Sequence, residues 1–141
     1  MARYTMTGTL TVALPRDRAF RLFTAYGERD WARGWEPRFP QEPADDSEPG
    51  TVFETEAHGD ATIWVVTECV PGRLIRYARV TPGVRAGTVT VELADVGAET
   101  AVTVTYDLTA LTPDAVAALR DFADGYPAFL RSWQDAIAAI T

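Results

Sequence analysis

The apolar pattern of the C-terminal segment constrains the fold most strongly. From Thr112 to Ile140, apolar side chains recur every three or four residues, and this spacing predicts an amphipathic helix. Thr112 is in the position of a helix cap, with Pro113 at the first helical position. At about 1.5 Å per residue the helix would be roughly 40 Å long, comparable with the diameter of a chain of this length. We therefore expect it to cross a whole layer of other structure.

Two residues interrupt this pattern. Gly125 and Pro127 lie in the middle of the segment. A proline inside a helix removes a backbone hydrogen bond and clashes with the preceding turn, at a cost of about 3 kcal/mol. We predict a kink or break near Gly125, so that straight helix geometry from Ala123 to Phe129 would contradict this prediction.

Alternating apolar and polar residues predict six β-strands. Short sequences rich in glycine, proline and aspartate separate the last five of them, an arrangement typical of an antiparallel meander. Val89, Val91 and Leu93 share one predicted face, and threonines dominate the other, so this sheet has one buried face and one in solvent. The predicted strands are 4–14, 51–57, 61–70, 73–80, 87–94 and 99–109.

Two short helices and a long loop are predicted between the first two strands. Pro15 fits the first turn of one helix, which Gly27 ends, and a second helical turn covers 28–33. Four prolines and several acidic residues in 36–50 exclude regular structure there. We interpret this loop as a solvated connector, with a lid over a binding site as the alternative.

Composition limits the function classes. The 141 residues suffice for one hydrophobic core, so we expect a single domain covering 1–141. The net charge of −7 argues against nucleic acid and anionic membranes as partners. The N-terminus has no signal-peptide pattern, no apolar run is long enough to span a membrane, and the single cysteine, Cys69, is predicted to be a buried small side chain. A cytoplasmic location follows as an expectation.

Several stretches carry a family resemblance. They are AFRLFTAYGERDWARGW, PGTVFET, IWVVTECVPGRLIRY, RAGTVTVEL and YPAFLRSWQDAI. Together with the order of the predicted elements, they resemble the START-like or SRPBCC superfamily, which includes Bet v 1-like proteins. The nearest likeness is to bacterial polyketide cyclase/dehydrase-like and activator-of-Hsp90-like members. None of these stretches is a catalytic signature.

The resemblance implies an α+β helix-grip fold. In that fold a curved antiparallel sheet of about six strands wraps around the long C-terminal helix, two short helices follow the first strand, and a cavity lies between sheet and helix. Many members bind lipids, hormones or aromatic metabolites, and fewer are enzymes. We therefore expect a binding protein for a hydrophobic or aromatic small molecule, with no cofactor, acting as a monomer or homodimer. The alternatives are a cofactor-independent cyclase or hydrolase and an Hsp90-activator-like interaction module.

Candidate ligand-binding residues come from three parts of the chain. In the predicted 61–80 hairpin, a turn at Pro71 and Gly72 would pair Val70 with Arg73 and Trp64 with Arg79. Trp64, Glu68, Tyr77 and Arg79 would then share a face, although the face that carries Ile63, Val65, Cys69, Leu74, Arg76 and Ala78 has an equal claim to be the interior. Arg79 could hold a ligand carboxylate or phenolate. The full candidate set is Trp31, Trp35, Phe39, Trp64, Tyr77, Arg79, Tyr106, Phe122 and Tyr126.

Within that set, the resemblance places Trp31, Trp35 and Phe39 at the cavity mouth. Phe122 and Tyr126, near the predicted break, would border or gate the cavity, whereas Trp133 and its neighbours would anchor the helix to the sheet. For all of these aromatic residues, an ordinary place in the core is the alternative.

The sequence does not identify a catalytic residue. Glu68, Tyr77, Arg79 and Asp107 could transfer protons if the protein is an enzyme. His58, the only histidine, lies in a predicted turn and is more typical of a solvated side chain. The chain has no HExxH, Gly-x-Ser-x-Gly or phosphate-binding glycine motif, and a metal site is not expected.

Overall fold

A computed structural model describes residues 2–57 and 60–141. The strands are β1 (Arg3–Val12), β2 (Val52–Ala57), β3 (Asp60–Val70), β4 (Leu74–Thr81), β5 (Arg85–Val96) and β6 (Glu99–Ala110). The α-helices are α1 (Arg16–Arg21), α2 (Val116–Asp124) and α3 (Tyr126–Ala138). Two short 3₁₀ turns precede β2 and α2, namely the first 3₁₀ turn (Gly27–Asp30) and the second (Pro113–Ala115).

All six strands form one antiparallel sheet in the order β1-β6-β5-β4-β3-β2. The helices pack on one face, which we call the inner face. The predicted α+β helix-grip fold is confirmed. The alternation in β5 and β6 is also confirmed, because Val89 pairs with Tyr106 and Val91 with Val104, and all four side chains are buried. Apolar burial on the inner face therefore sets the strand register.

The β3–β4 hairpin differs from the predicted one at its turn. Val70 pairs with Leu74 rather than with Arg73, so the turn is one residue longer than expected. A β-bulge between Val66 and Glu68 compensates, and the predicted pairing of Trp64 with Arg79 is restored beyond it.

The bulge also decides which side chains face inward. Trp64, Tyr77 and Arg79 lie on the inner face, which resolves the choice between the two faces of the hairpin. Glu68 does not join them: it is exposed and forms an ion pair with Arg76 at 2.6 Å. The expectation that Glu68 shares their face is wrong, because the extra residue of the bulge reverses the alternation. Cys69 is likewise only half-buried, contrary to the prediction.

The C-terminal helix is divided at Gly125, as predicted. Helix α2 ends at Asp124 and α3 begins at Tyr126, while the Gly125 N–H still bonds to the Asp121 carbonyl at 3.0 Å. Pro127 lies in the first turn of α3, where its missing N–H removes no helical bond. Breaking the helix there accommodates the proline.

Two details of the helix starts differ from expectation. Thr112 does not cap the C-terminal helix, because its hydroxyl donates to the Gly83 carbonyl at 3.2 Å, which joins it to the β4–β5 turn. Pro15 immediately precedes α1 instead of lying in its first turn.

The predicted irregular loop is confirmed, with one addition: Arg38 and Glu54 exchange two backbone hydrogen bonds of 2.8 Å beside β2.

Helix α3 lies close to β1. An ideal Cβ atom on Gly8 would be only 2.5 Å from Leu130 Cδ1, so the missing side chain permits this approach. The Tyr126 hydroxyl donates to the Val104 carbonyl at 2.7 Å and fixes α3 against the interior of the sheet. The helix therefore covers the β1–β6 side most closely.

Among the helices of the described residues, none has the length and apolar character that a membrane span requires.

Gly87, which pairs with Arg79, is predicted to tolerate no side chain. An ideal Cβ there would lie 1.9 Å from the backbone oxygen of Asp107, so β5 would have to move away from β6. We expect Gly87→Ala to lower the free energy of unfolding by about 2 kcal/mol, measured by urea denaturation. The control Gly83→Ala has open space but a φ of +76°, and should cost about 1 kcal/mol. Equal midpoints for wild type and Gly87→Ala would contradict this assignment.

Candidate functional site

A cavity of about 260 Å³ lies between the inner face of the sheet and the elements that cover it. The sheet contributes Trp64, Tyr77, Arg79, Val89 and Tyr106 to its wall. The covering elements contribute Glu28 from the first 3₁₀ turn, Trp35 from the following loop, and Phe129 and Trp133 from α3. We call this space the inner pocket. Its walls come from five strands, a 3₁₀ turn, loop segments and a helix, which only the complete fold brings together.

Aromatic rings form much of the wall. Trp64 stacks on the buried Phe53 with 5.8 Å between centroids, and its ring meets those of Trp35 and Tyr77 edge-on at 5.5 and 5.9 Å. The indole N–H groups are satisfied, since Trp64 donates to the Thr55 hydroxyl at 2.9 Å and Trp35 to the Ala25 carbonyl at 2.7 Å. These contacts fix the rings, so the pocket has a preformed shape suited to a flat apolar molecule.

The two tyrosines of the wall have different roles. The Tyr77 hydroxyl donates to the Phe23 carbonyl at 2.8 Å and thereby ties β4 to the segment after α1. The Tyr106 hydroxyl makes no hydrogen bond to the rest of the described chain. Burial raises the pKa of both phenols, so each is a neutral donor at physiological pH. Only the Tyr106 hydroxyl is available to a ligand.

Arg79 places a positive charge in the pocket wall. Its guanidinium carbon lies 4.8 Å from the centre of the Trp64 ring, a cation–π contact, and its Nη2 donates to the Thr81 hydroxyl at 3.2 Å. Burial lowers the pKa of Arg79, and the charge of Arg85 lowers it further. The Nε atom is buried and has no partner within residues 2–57 and 60–141.

Glu28 supplies a carboxyl group to the same pocket. The first 3₁₀ turn directs it inward, although Arg29 and Asp30 beside it are exposed. Burial raises the pKa of this carboxyl well above its ordinary value, because no described cation pairs with it. Glu28 also raises the pKa of Tyr106, whereas Arg79 lowers it, so the Tyr106 phenol lies within the influence of both charges. The pocket thus combines an acid, a phenol and a cation.

Five of the nine ligand-binding candidates line the inner pocket: Trp35, Trp64, Tyr77, Arg79 and Tyr106. Trp31 lies behind the wall, against Trp133 at 5.1 Å, with its indole N–H on the Leu22 carbonyl. Phe39 packs between the rings of Tyr26 and Phe53 and is likewise not part of the pocket wall.

The long helix presents different aromatic residues to the pocket from those expected. Phe122 and Tyr126 pack on Tyr106 outside the pocket, at 5.4 and 5.8 Å, while Phe129 and Trp133 line it. The spacing of the apolar residues identifies the helix face, but where α3 crosses the sheet depends on Gly8 and the break at Gly125. Glu28 was also not anticipated, because nothing in its local sequence distinguishes it from the exposed acids around it.

Of the residues predicted to transfer protons, some lie in the inner pocket and others on the outer face of the sheet. Tyr77 and Arg79 lie in the pocket, whereas Asp107 is on the outer face, where Arg3 binds it at 2.7 Å and lowers the pKa of its carboxyl. Glu68 is on that face too. His58 lies outside the described residues. Within those residues, no cluster of histidine, cysteine, aspartate and glutamate is arranged to hold a metal ion.

A second, larger depression of about 990 Å³ lies between α1 and the acidic loop. It is an open groove whose mixed lining includes the charged side chains Arg16, Asp45 and Asp46. Because binding sites for small molecules enclose most of the ligand surface, the inner pocket is the better candidate.

Comparison with known proteins agrees with this architecture. The family model described as polyketide cyclase / dehydrase and lipid transport matches residues 3–136. The chain belongs to this family. A search of curated proteins found no significant match.

Solved structures show the same fold at low sequence identity. Protein Mll3558 from Rhizobium loti is 21% identical, with a TM-score of 0.70 over 96% of this chain and 97% of its own. The Zhui aromatase/cyclase from Streptomyces sp. R1128 is 16% identical, with a TM-score of 0.65 over 96% and 92%. The Aha1 dimer from Colwellia psychrerythraea is 16% identical, with a TM-score of 0.65 over 95% and 96%. At these sequence identities, the structural likeness shows the fold of this chain and does not establish its function.

The buried carboxyl predicts an unusual dependence of stability on pH. Because the pKa of Glu28 is raised on folding, the folded state favours its protonated form, and stability is lost as pH rises from about 4.5 through the folded-state pKa. We expect Glu28→Gln to unfold at a higher urea concentration than wild type at pH 8, with the difference vanishing near pH 4. Glu36→Gln, at an exposed position, is the control and should change little. A Glu28→Gln variant less stable than wild type at pH 8 would contradict the assignment.

Proposed function

We propose that the protein binds a small aromatic molecule in the inner pocket. The observation that carries this proposal is the wall itself, in which fixed aromatic rings line a space beside the Arg79 guanidinium and the Tyr106 phenol. A mostly apolar cavity with a few convergent polar groups is typical of small-molecule sites. Its volume of about 260 Å³ is below the range for drug-sized ligands, which favours a molecule of one or two rings.

Membership of the family supports this proposal. The family description names polyketide cyclases, dehydrases and lipid transport. One structural neighbour is named an aromatase/cyclase and another is the norcoclaurine synthase of Thalictrum flavum. Long lipid tails fit this pocket less well than rings do, because its volume is only about 260 Å³.

A second candidate function is catalysis in the same pocket without a cofactor. Glu28 favours it, since a pocket carboxyl whose pKa burial raises above its ordinary value is typical of a general acid or base. In this proposal Glu28 transfers a proton to a ligand that Tyr106 orients, as a cyclase or hydrolase requires. Turnover of a bound compound that Glu28→Gln abolishes, without loss of binding, would distinguish an enzyme from a binding protein.

The remaining expectations stay predictions. An Hsp90-activator-like interaction module needs an exposed apolar patch, and Val52, Ile63 and Val80 supply a small one on the outer side of the sheet. A cytoplasmic location and a monomeric or homodimeric state are likewise proposed from the sequence.

Filling the inner pocket should abolish binding without loss of the fold. Val91 lies at the base of the pocket, so Val91→Phe places a ring in the space that a ligand would use. With wild type, we expect 2-naphthoate or 2-naphthamide at ten times its Kd to add about 1.4 kcal/mol of stability, visible as a rise of a few degrees in Tm. Val91→Phe should show no rise.

The matched control is Val96→Phe, which introduces the same ring at the exposed end of the same strand. It should respond like wild type. Circular dichroism verifies that both variants are folded. An equal response of wild type and Val91→Phe, or no response of wild type to either compound, would contradict binding in the inner pocket.

A further inference from the structure

The charge of Arg79, in the wall of the inner pocket, is paired with no acidic side chain of the described residues. The structure records four ion pairs within the described residues, and none includes Arg79. Its recorded polar contact is a single bond to the Thr81 hydroxyl, which is neutral. The nearby charge that acts on it comes from Arg85 and has the same sign.

Such an arrangement is costly in the absence of a ligand. A guanidinium offers five N–H donors, and removing one from water without an acceptor costs about 1 to 3 kcal/mol. Contact with the Trp64 ring recovers part of this cost, because the ring face attracts a cation. It does not provide an acceptor for the buried Nε–H. A negatively charged group inside the pocket would compensate the charge of the guanidinium.

We propose that the inner pocket selects an aromatic monocarboxylate, with the carboxylate paired to the Arg79 guanidinium and the ring packing beside Trp64. This inference rests on the proposed function and specifies its ligand class. A charge-assisted bond of this kind is shorter and about twice as strong as a neutral one. The adjoining aromatic wall excludes water and strengthens it further.

Other groups in the wall limit the ligand to one negative charge. Glu56, whose exposed side chain lies 3.8 Å from Arg38, also lines the pocket and would repel a second carboxylate. Burial raises the pKa of the Glu28 carboxyl, and the desolvation that opposes its charge would oppose a second negative charge of the ligand as well. The pocket volume further excludes long acyl chains and favours a ring system of the size of naphthalene.

The test compares two probes that differ in charge but have the same ring, 2-naphthoate and 2-naphthamide. Isothermal titration at pH 7.5 measures both Kd values for wild type, Arg79→Met, Arg79→Lys and Arg76→Met. Arg79→Met keeps the apolar stem that packs near Trp64 and removes a buried unpaired charge, so it should fold at least as well as wild type. Arg76→Met, in the same strand but with its guanidinium paired to Glu68, is the matched control.

We expect wild type to bind 2-naphthoate at least 10-fold more tightly than 2-naphthamide. Arg79→Met should lose this preference by weakening only the naphthoate, Arg79→Lys should keep part of it, and Arg76→Met should keep all of it. Equal affinity of wild type for the two probes, or a preference that survives in Arg79→Met, overturns the inference but leaves the proposed function standing. If neither probe binds wild type, the proposed function fails first and this inference fails with it.

Discussion

The close contact between α3 and β1 determines the rest of the interior. Gly8 leaves room for Leu130, and the Tyr126 hydroxyl holds α3 to the Val104 carbonyl at 2.7 Å. Because the helix is close to the sheet on the β1–β6 side, the remaining inner face on β3 and β4 is covered by other elements. The helix breaks at Gly125, and Pro127 lies in the first turn of α3. This break leaves the direction of α3 independent of that of α2. A straight helix of the predicted length would not have this freedom.

The opposite half of the interior is consequently built from aromatic side chains. Phe53 and Trp64 stack on the sheet, Trp35 closes over them from the loop, and the Tyr77 bond to Phe23 joins the two layers. These large rigid groups leave a space between them that close packing of smaller side chains would have removed. The inner pocket is therefore a consequence of where α3 lies, and its polar groups, Arg79 and Glu28, come from elements that α3 does not cover.

Much of the fold was predictable because burial imposes a strict period on strands and helices. The alternation in β5 and β6 and the break at Gly125 follow from local patterns, whereas the predicted pairing of Trp64 with Arg79 holds only because a bulge offsets the longer turn. The outward position of Glu68 does not follow from such patterns, since a single bulge residue changes the facing of everything beyond it. The exchange of Phe122 and Tyr126 for Phe129 and Trp133 in the pocket wall depends on tertiary packing. Glu28 is inward only because the first 3₁₀ turn is oriented by the contacts around it.

The proposed ligand site has Arg79 as its charged anchor. Its most direct test observes the arginine Nε–H resonances of the intact protein by nuclear magnetic resonance during titration with 2-naphthoate. We expect a saturable shift of the Arg79 resonance, together with contacts between ring protons of the probe and the methyl groups of Val89 and Val91, which line the inner pocket. Contacts confined to the open groove beside the acidic loop, with an unchanged Arg79 resonance, would contradict it.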